Sequence, residues 1–120
     1  MADLSGTWLG TYWQRELPTR FEFTLVQGGN TLSGRVLDDG YLGEASLVGE
    51  VIGRRVTFTK QYLGGLRHSV RYSGTIAESE DYMQGHWQLD FDSGRWEAHR
   101  SDENLTLNLE RRTEVPVAIS

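Results

Sequence analysis

The apolar residues of this chain recur at every second position, in segment after segment, and few folds accept that pattern. Phe21, Phe23 and Leu25 alternate with Glu22, Thr24 and Val26. Val70, Tyr72 and Ile76 alternate with Arg71, Ser73 and Thr75. Trp87, Leu89 and Phe91 alternate with Gln88 and Asp90, and Leu105, Leu107 and Leu109 with Thr106 and Asn108. A period of two sets one face of each strand in a core and the other in water. No segment carries a helical period. Strands are expected near 5–13, 20–27, 31–38, 44–52, 54–62, 68–76, 82–91, 94–100 and 104–110, with frequent glycine for the turns between them. The expected fold is all-β, an up-and-down antiparallel meander closed into a barrel of eight or nine strands.

Turn chemistry suggests a register, because apolar residues must face apolar residues across each hairpin. Gly28-Gly29 is expected to pair Leu25 with Leu32. Gly53-Arg54 has glycine first, as a type II′ turn needs, and pairs Val51 with Val56. The 78–81 turn sets Ile76 against Met83 and Tyr72 against Trp87, and a loop at 91–94 sets Leu89 against Trp96. Followed strand by strand, the short turns gather at one end. The longer connections, 14–18, 39–43 and 63–66, gather at the other. A barrel of this size holds at most one small ligand, and function tends to sit in loops on a rigid scaffold. Any site is therefore expected at the long-loop end.

A chain of 120 residues reads as one domain, with a barrel over 1–110 and a loose tail over 111–120. It has no cysteine, which excludes a disulfide framework and a thiolate zinc site. The net charge of −5 argues against nucleic acid or an anionic membrane as partner, since both call for a basic face. The first residues lack the basic and apolar regions of a signal peptide, and no apolar run approaches a membrane span. A cytoplasmic location is expected.

The opening Leu4-Ser5-Gly6-Thr7-Trp8 resembles the Gly-x-Trp first strand of the avidins and lipocalins, the calycin group of ligand-binding barrels. Leu32-Ser33-Gly34, Leu47-Val48-Gly49, Val56-Thr57-Phe58-Thr59-Lys60, Tyr72-Ser73-Gly74, Gly85-His86-Trp87-Gln88-Leu89 and Gly94-Arg95-Trp96 follow in avidin-like order. The resemblance implies a hollow or nearly hollow barrel. It does not extend to biotin, because Gly34-Arg35-Val36-Leu37 stands where a Tyr-x-Ser would be needed. The helix that follows a lipocalin barrel has no counterpart here. The resemblance also implies that Arg100, late in the chain, stacks on Trp8 and plugs the short-turn end.

Polar residues on the inward phase are the informative exceptions: Lys60, His68 and Arg100, with hydroxyls from Tyr12, Tyr62 and Tyr72. Lys60 is expected opposite His68, with Tyr12, Tyr62, Phe91 and Trp96 around the same mouth and Phe58, Tyr72 and Trp87 as its floor. A cation and an imidazole above an aromatic lining suit an anionic or carbonyl-bearing aromatic ligand. The plainer alternative is a rim lysine reaching for solvent and a histidine that merely begins its strand.

Three functions follow from this reading. One is a barrel binding a small apolar or aromatic molecule through Tyr12, Phe58, Lys60, Tyr62, His68, Tyr72, Trp87 and Trp96. Another is a filled barrel acting on protein partners through its surface. The third is a small enzyme of cyclase or isomerase type, using His68 with Lys60 or a carboxylate among Asp38, Asp39 and Glu44. No P-loop, nucleophile elbow or HExxH motif favours catalysis, and Asp38-Asp39-Gly40 also fits ordinary turn chemistry. His86 and His99 face outward and fall opposite one another in one register, but a third metal ligand is missing. No cofactor or metal is expected. The outward residues of most strands are polar, which suits a monomer or a modest homodimer.

Overall fold

The computed structural model describes residues 3–38, 43–63 and 69–101. These residues form eight strands, β1 (Gly6–Gln14), β2 (Leu17–Gly28), β3 (Thr31–Asp38), β4 (Glu44–Ile52), β5 (Arg55–Tyr62), β6 (Ser69–Ile76), β7 (Tyr82–Leu89) and β8 (Asp92–Arg100). They pair antiparallel in chain order, and β1 closes on β8 with Trp8 opposite Arg100 and Tyr12 opposite Trp96. The barrel is complete with eight strands. The expected strand at 104–110 and the tail at 111–120 lie outside the described residues. No helix among the described residues is long and apolar enough to cross a membrane.

The alternation of the sequence is the alternation of burial. β2 buries Phe21, Phe23 and Leu25, β5 buries Val56, Phe58, Lys60 and Tyr62, and β7 buries Met83 and Trp87. The interior is filled rather than hollow. Phe21 stacks on Phe23 at 5.2 Å and Phe58 on Tyr72 at 4.9 Å, while Trp96 meets Phe58 and Tyr72 edge-on at 5.5 and 5.6 Å. An eight-stranded interior is just wide enough for such side chains. Room for Trp96 comes from two inward glycines paired across β6 and β7, Gly74 and Gly85. A Cβ on Gly74 would stand 2.9 Å from the Trp96 ring.

Two hairpins have the expected register: Val51 faces Val56, and Ile76 and Tyr72 face Met83 and Trp87. Elsewhere the pairing has slid by an even number of residues. Leu25 lies opposite Gly34, because the turn uses Gly29 at φ +65° with Asn30 and leaves Gly28 in the strand. Leu89 lies opposite Asp92, because Asp90 at φ +51° tightens the turn to Asp90-Phe91. Gln14 pairs with Leu17 through Arg15-Glu16, both at positive φ as a type I′ turn requires, so the longer 14–18 connection is in fact a tight turn. Lys60 faces Val70, and His68, its expected partner, lies outside the described residues.

These slides overturn several expected neighbours. Phe91 sits in a turn, fully exposed, and takes no part in the mouth. His86 pairs with Arg95 and His99 with Tyr82, so the two histidines are not opposite. The outer wall of β5 to β7 is polar, but β1 to β4 expose Leu9, Val26, Leu37, Val48 and Ile52. The wall is thus less uniform than its polar strands suggest.

The short-turn end is closed. The Arg100 guanidinium lies 4.6 Å from the Trp8 ring centroid and donates to the carbonyls of Ser5, Asp3 and Glu80, each at 2.8 Å. The Trp8 indole donates to the Leu4 carbonyl at 2.9 Å. Arg100 thus stacks on Trp8 and ties the chain start to the 80–81 turn at this end.

Candidate functional site

The other end of the barrel holds the buried charges. Val36 and Asp38 are successive inward residues of β3, and Phe58, Lys60 and Tyr62 are successive inward residues of β5. The backbone of Asp38 is held where β3 ends, its N–H donating to the Gly43 carbonyl at 3.0 Å. Between the two strands β4 turns inward Ala45, which pairs with Val36 and with Tyr62, and Leu47, which pairs with Lys60. Lys60 and Asp38 therefore meet. Their Nζ and Oδ1 are 3.2 Å apart, with Oδ2 at 3.4 Å.

Two phenols complete the carboxylate's shell. Tyr12 donates its hydroxyl to Asp38 Oδ2 at 3.2 Å, and the Tyr62 hydroxyl donates to the same oxygen. Aromatic rings surround the ammonium. Nζ lies 4.6 Å from the Tyr12 centroid, 4.9 Å from Tyr62, 5.0 Å from Phe21 and 5.1 Å from Tyr72. Each ring face is negative, so the arrangement stabilises a cation as the carboxylate does. No buried side-chain nitrogen or oxygen among the described residues lacks a hydrogen-bond partner.

Burial nonetheless opposes charge here. It lowers the Lys60 ammonium to about 8, with Asp38 pulling the other way. Burial first, and then Asp38, raises the Tyr12 phenol; Tyr72, deeper still, is raised well above its usual value for the same reasons. Burial and the hydrogen bond to Asp38 raise Tyr62 strongly. The cluster is a proton-rich network of two phenols, an amine and a carboxylate, sealed in rings.

Of the residues expected to form the site, Tyr12, Lys60, Tyr62 and Tyr72 come together around one nitrogen. Trp87 is at the mouth rather than the floor, 6.2 Å from Tyr12, its indole donating to the Trp13 carbonyl at 3.0 Å. Trp96 is in the interior rather than the mouth, packed on Phe58 and Tyr72, because β8 pairs it with Gly85. Phe58 is a core residue below Tyr72. His68 lies outside the described residues. Asp38, read as loop chemistry, is the partner that sequence reasoning missed. Its signal was available, since it continues the inward phase of Leu32 and Val36.

No protein-family model and no curated protein matches the chain. A solved structure shares its fold. That structure is a de novo designed fluorescence-activating β-barrel, similar at a TM-score of 0.63 with 18% identity, over 84% of this chain and 100% of the other. At that identity the likeness establishes a closed, eight-stranded antiparallel barrel and nothing finer. The calycin resemblance continues to rest on its short motifs.

Grooves line the outer wall, and one of them borders the cluster at Phe21 and Asp38. Another is lined by Thr59, Ser69, Arg71, Gln88, Leu89 and Asp90. It lacks the buried charge and ring density of the Lys60–Asp38 site.

Proposed function

We propose that the protein binds a small, mostly apolar or aromatic molecule at the long-loop end of the barrel, above the Lys60–Asp38 pair. The observation that carries this reading is the burial of that pair. Moving two charges out of water costs several kcal/mol per ion, and replacing such a pair by hydrophobic residues is often neutral or stabilising. A pair kept inside a ring of aromatic side chains, at one end only, marks a place where charge is wanted. The solved barrel of the same fold is fluorescence-activating, which is compatible with small-molecule binding by this architecture.

In this reading Tyr12, Tyr62 and Trp87 contact the ligand's apolar body, and Lys60 or Asp38 fixes its one polar group. Phe58 and Trp96 support the rings from below and touch no ligand. The test is native mass spectrometry with thermal shifts against a panel of aromatic acids, alcohols and carbonyl compounds. A saturable shift with tryptophan quenching, weakened at least about tenfold in Tyr12→Ala, supports the reading, since each 1.4 kcal/mol of contact is a factor of ten.

The filled interior favours a second reading, in which the barrel is a scaffold and acts on a protein partner through the apolar residues exposed on β1 to β4. Absence of any shift, bound mass or quenching across the panel would turn the search to that wall.

A further inference from the structure

The chain contains twelve Lys and Arg residues, and Lys60 is its only lysine. An arginine serves wherever a fixed positive charge is needed, because its guanidinium does not lose its proton in proteins; a lysine amine does, and readily when buried. Here the one Lys or Arg side chain able to become a neutral nucleophile is 1% exposed. It stands within 5.1 Å of four aromatic centroids and 3.2 Å from a carboxylate that two phenols also approach.

We propose that Lys60 condenses reversibly with an aromatic aldehyde at the barrel mouth and holds it as an imine beside Asp38. The proposal rests on the binding reading above and names its ligand class. An amine surrounded by rings attacks best a carbonyl carried on a ring, since the same surfaces that enclose the amine enclose the aldehyde's body. Tyr12 is the half-buried member of the cage and the way in.

The chemistry balances without an oxidant or reductant. The nitrogen lone pair forms the C–N bond while the C=O π pair moves onto oxygen. That oxygen takes the proton which nitrogen gives up, relayed through Asp38 or the Tyr62 hydroxyl, to give a carbinolamine. The carbinolamine oxygen then takes a second proton from solvent, and the C–O bond breaks to release water. The nitrogen lone pair closes the C=N bond, leaving the remaining N–H on a protonated imine. A protonated imine carries the same charge as the ammonium it replaces, so Asp38 keeps its counter-ion. Burial lowers Lys60 to about 8, which leaves about a tenth of it neutral at pH 7.

The experiment uses wild-type protein, benzaldehyde and cyanoborohydride near neutral pH, with peptide mapping of the benzylated product. Benzyl alcohol serves as the non-condensing analogue, read by thermal shift and tryptophan quenching. The expected result is a benzyl group on Lys60, formed at least about tenfold faster in the native protein than in the urea-unfolded chain, because each unit of pKa lowering multiplies the neutral amine about tenfold. Labelling confined to the α-amine, or Lys60 labelling faster after unfolding, overturns the proposal. If benzyl alcohol still binds in that case, the binding reading stands without the imine. If neither compound binds the native protein, both fail.

Discussion

Lys60 and Asp38 form their 3.2 Å ion pair across an intervening strand, one residue on β5 and the other on β3. On the strand between them, β4, the inward residues are Leu47, opposite Lys60, and the small Ala45, opposite Val36 and Tyr62. Three strands thus cooperate to keep two opposite charges together out of water.

Removing one charge is expected to cost far more than removing both. Lys60→Met leaves Asp38 buried without its cation, a loss of about 3–5 kcal/mol. Lys60→Met combined with Asp38→Leu replaces the pair by apolar volume and is expected to recover most of that loss. Urea denaturation of the three proteins checks it, and additive losses would contradict the account.

Stability is expected to respond to pH in two opposed windows. Lys60 titrates lower in the folded chain, at about 8, than its unfolded value of about 10.4. Between those values the unfolded state binds the extra proton, so stability from this group rises with pH and is lost as pH falls through 8. Tyr12, Tyr62 and Tyr72 are raised when folded, so their contribution is present below about 10 and declines above it, where the unfolded phenols ionise. Melting temperatures of wild type, taken relative to the uncharged double variant, should climb between pH 8 and about 10, while those of both proteins turn down once pH passes about 10.

The fold was legible because a phase needs no register. Phe21, Phe23, Leu25, Val70, Tyr72 and Ile76 are buried as their alternation implies. The pairing was less legible, because a slide of two or four residues keeps every side chain on its face. That is how Trp96 came to rest against Gly85 rather than Leu89, and Lys60 against Val70. The site suffered at the same point. Tyr12, Lys60 and Tyr62 could be placed by phase alone, but Trp87 and Trp96 exchanged depths once the turn at Asp90-Phe91 closed. Asp38 was hidden by its neighbours, since Asp-Asp-Gly reads as a turn whichever way its first carboxylate points.

The slot for Trp96 gives a sensitive test of the inner packing. Gly74→Ala puts a methyl 2.9 Å from the indole and 2.3 Å from the Gln84 carbonyl oxygen, so ring or strand must move. Overpacking of this kind costs about 1–3 kcal/mol. Near-ultraviolet circular dichroism should weaken along with the melting temperature, and an unchanged spectrum would show the slot to be looser than described.

Phe91 provides the contrasting case. Its ring is wholly exposed at a turn, so Phe91→Ser is expected to change stability by less than about 0.5 kcal/mol. A loss as large as a core truncation, measured by urea denaturation, would place that ring against something in solution.

Closure of β1 on β8 has a consequence for how the chain must be made. Trp8 pairs with Phe23 early but finds its β8 partner only when Arg100 has been synthesised. Until then a nascent meander shows two open edges, each able to pair with a neighbouring chain. Such distant pairing also slows folding, because the loop entropy is lost before the contact forms. The arrival of the β7–β8 hairpin therefore decides whether the meander closes on itself or joins another chain edge to edge.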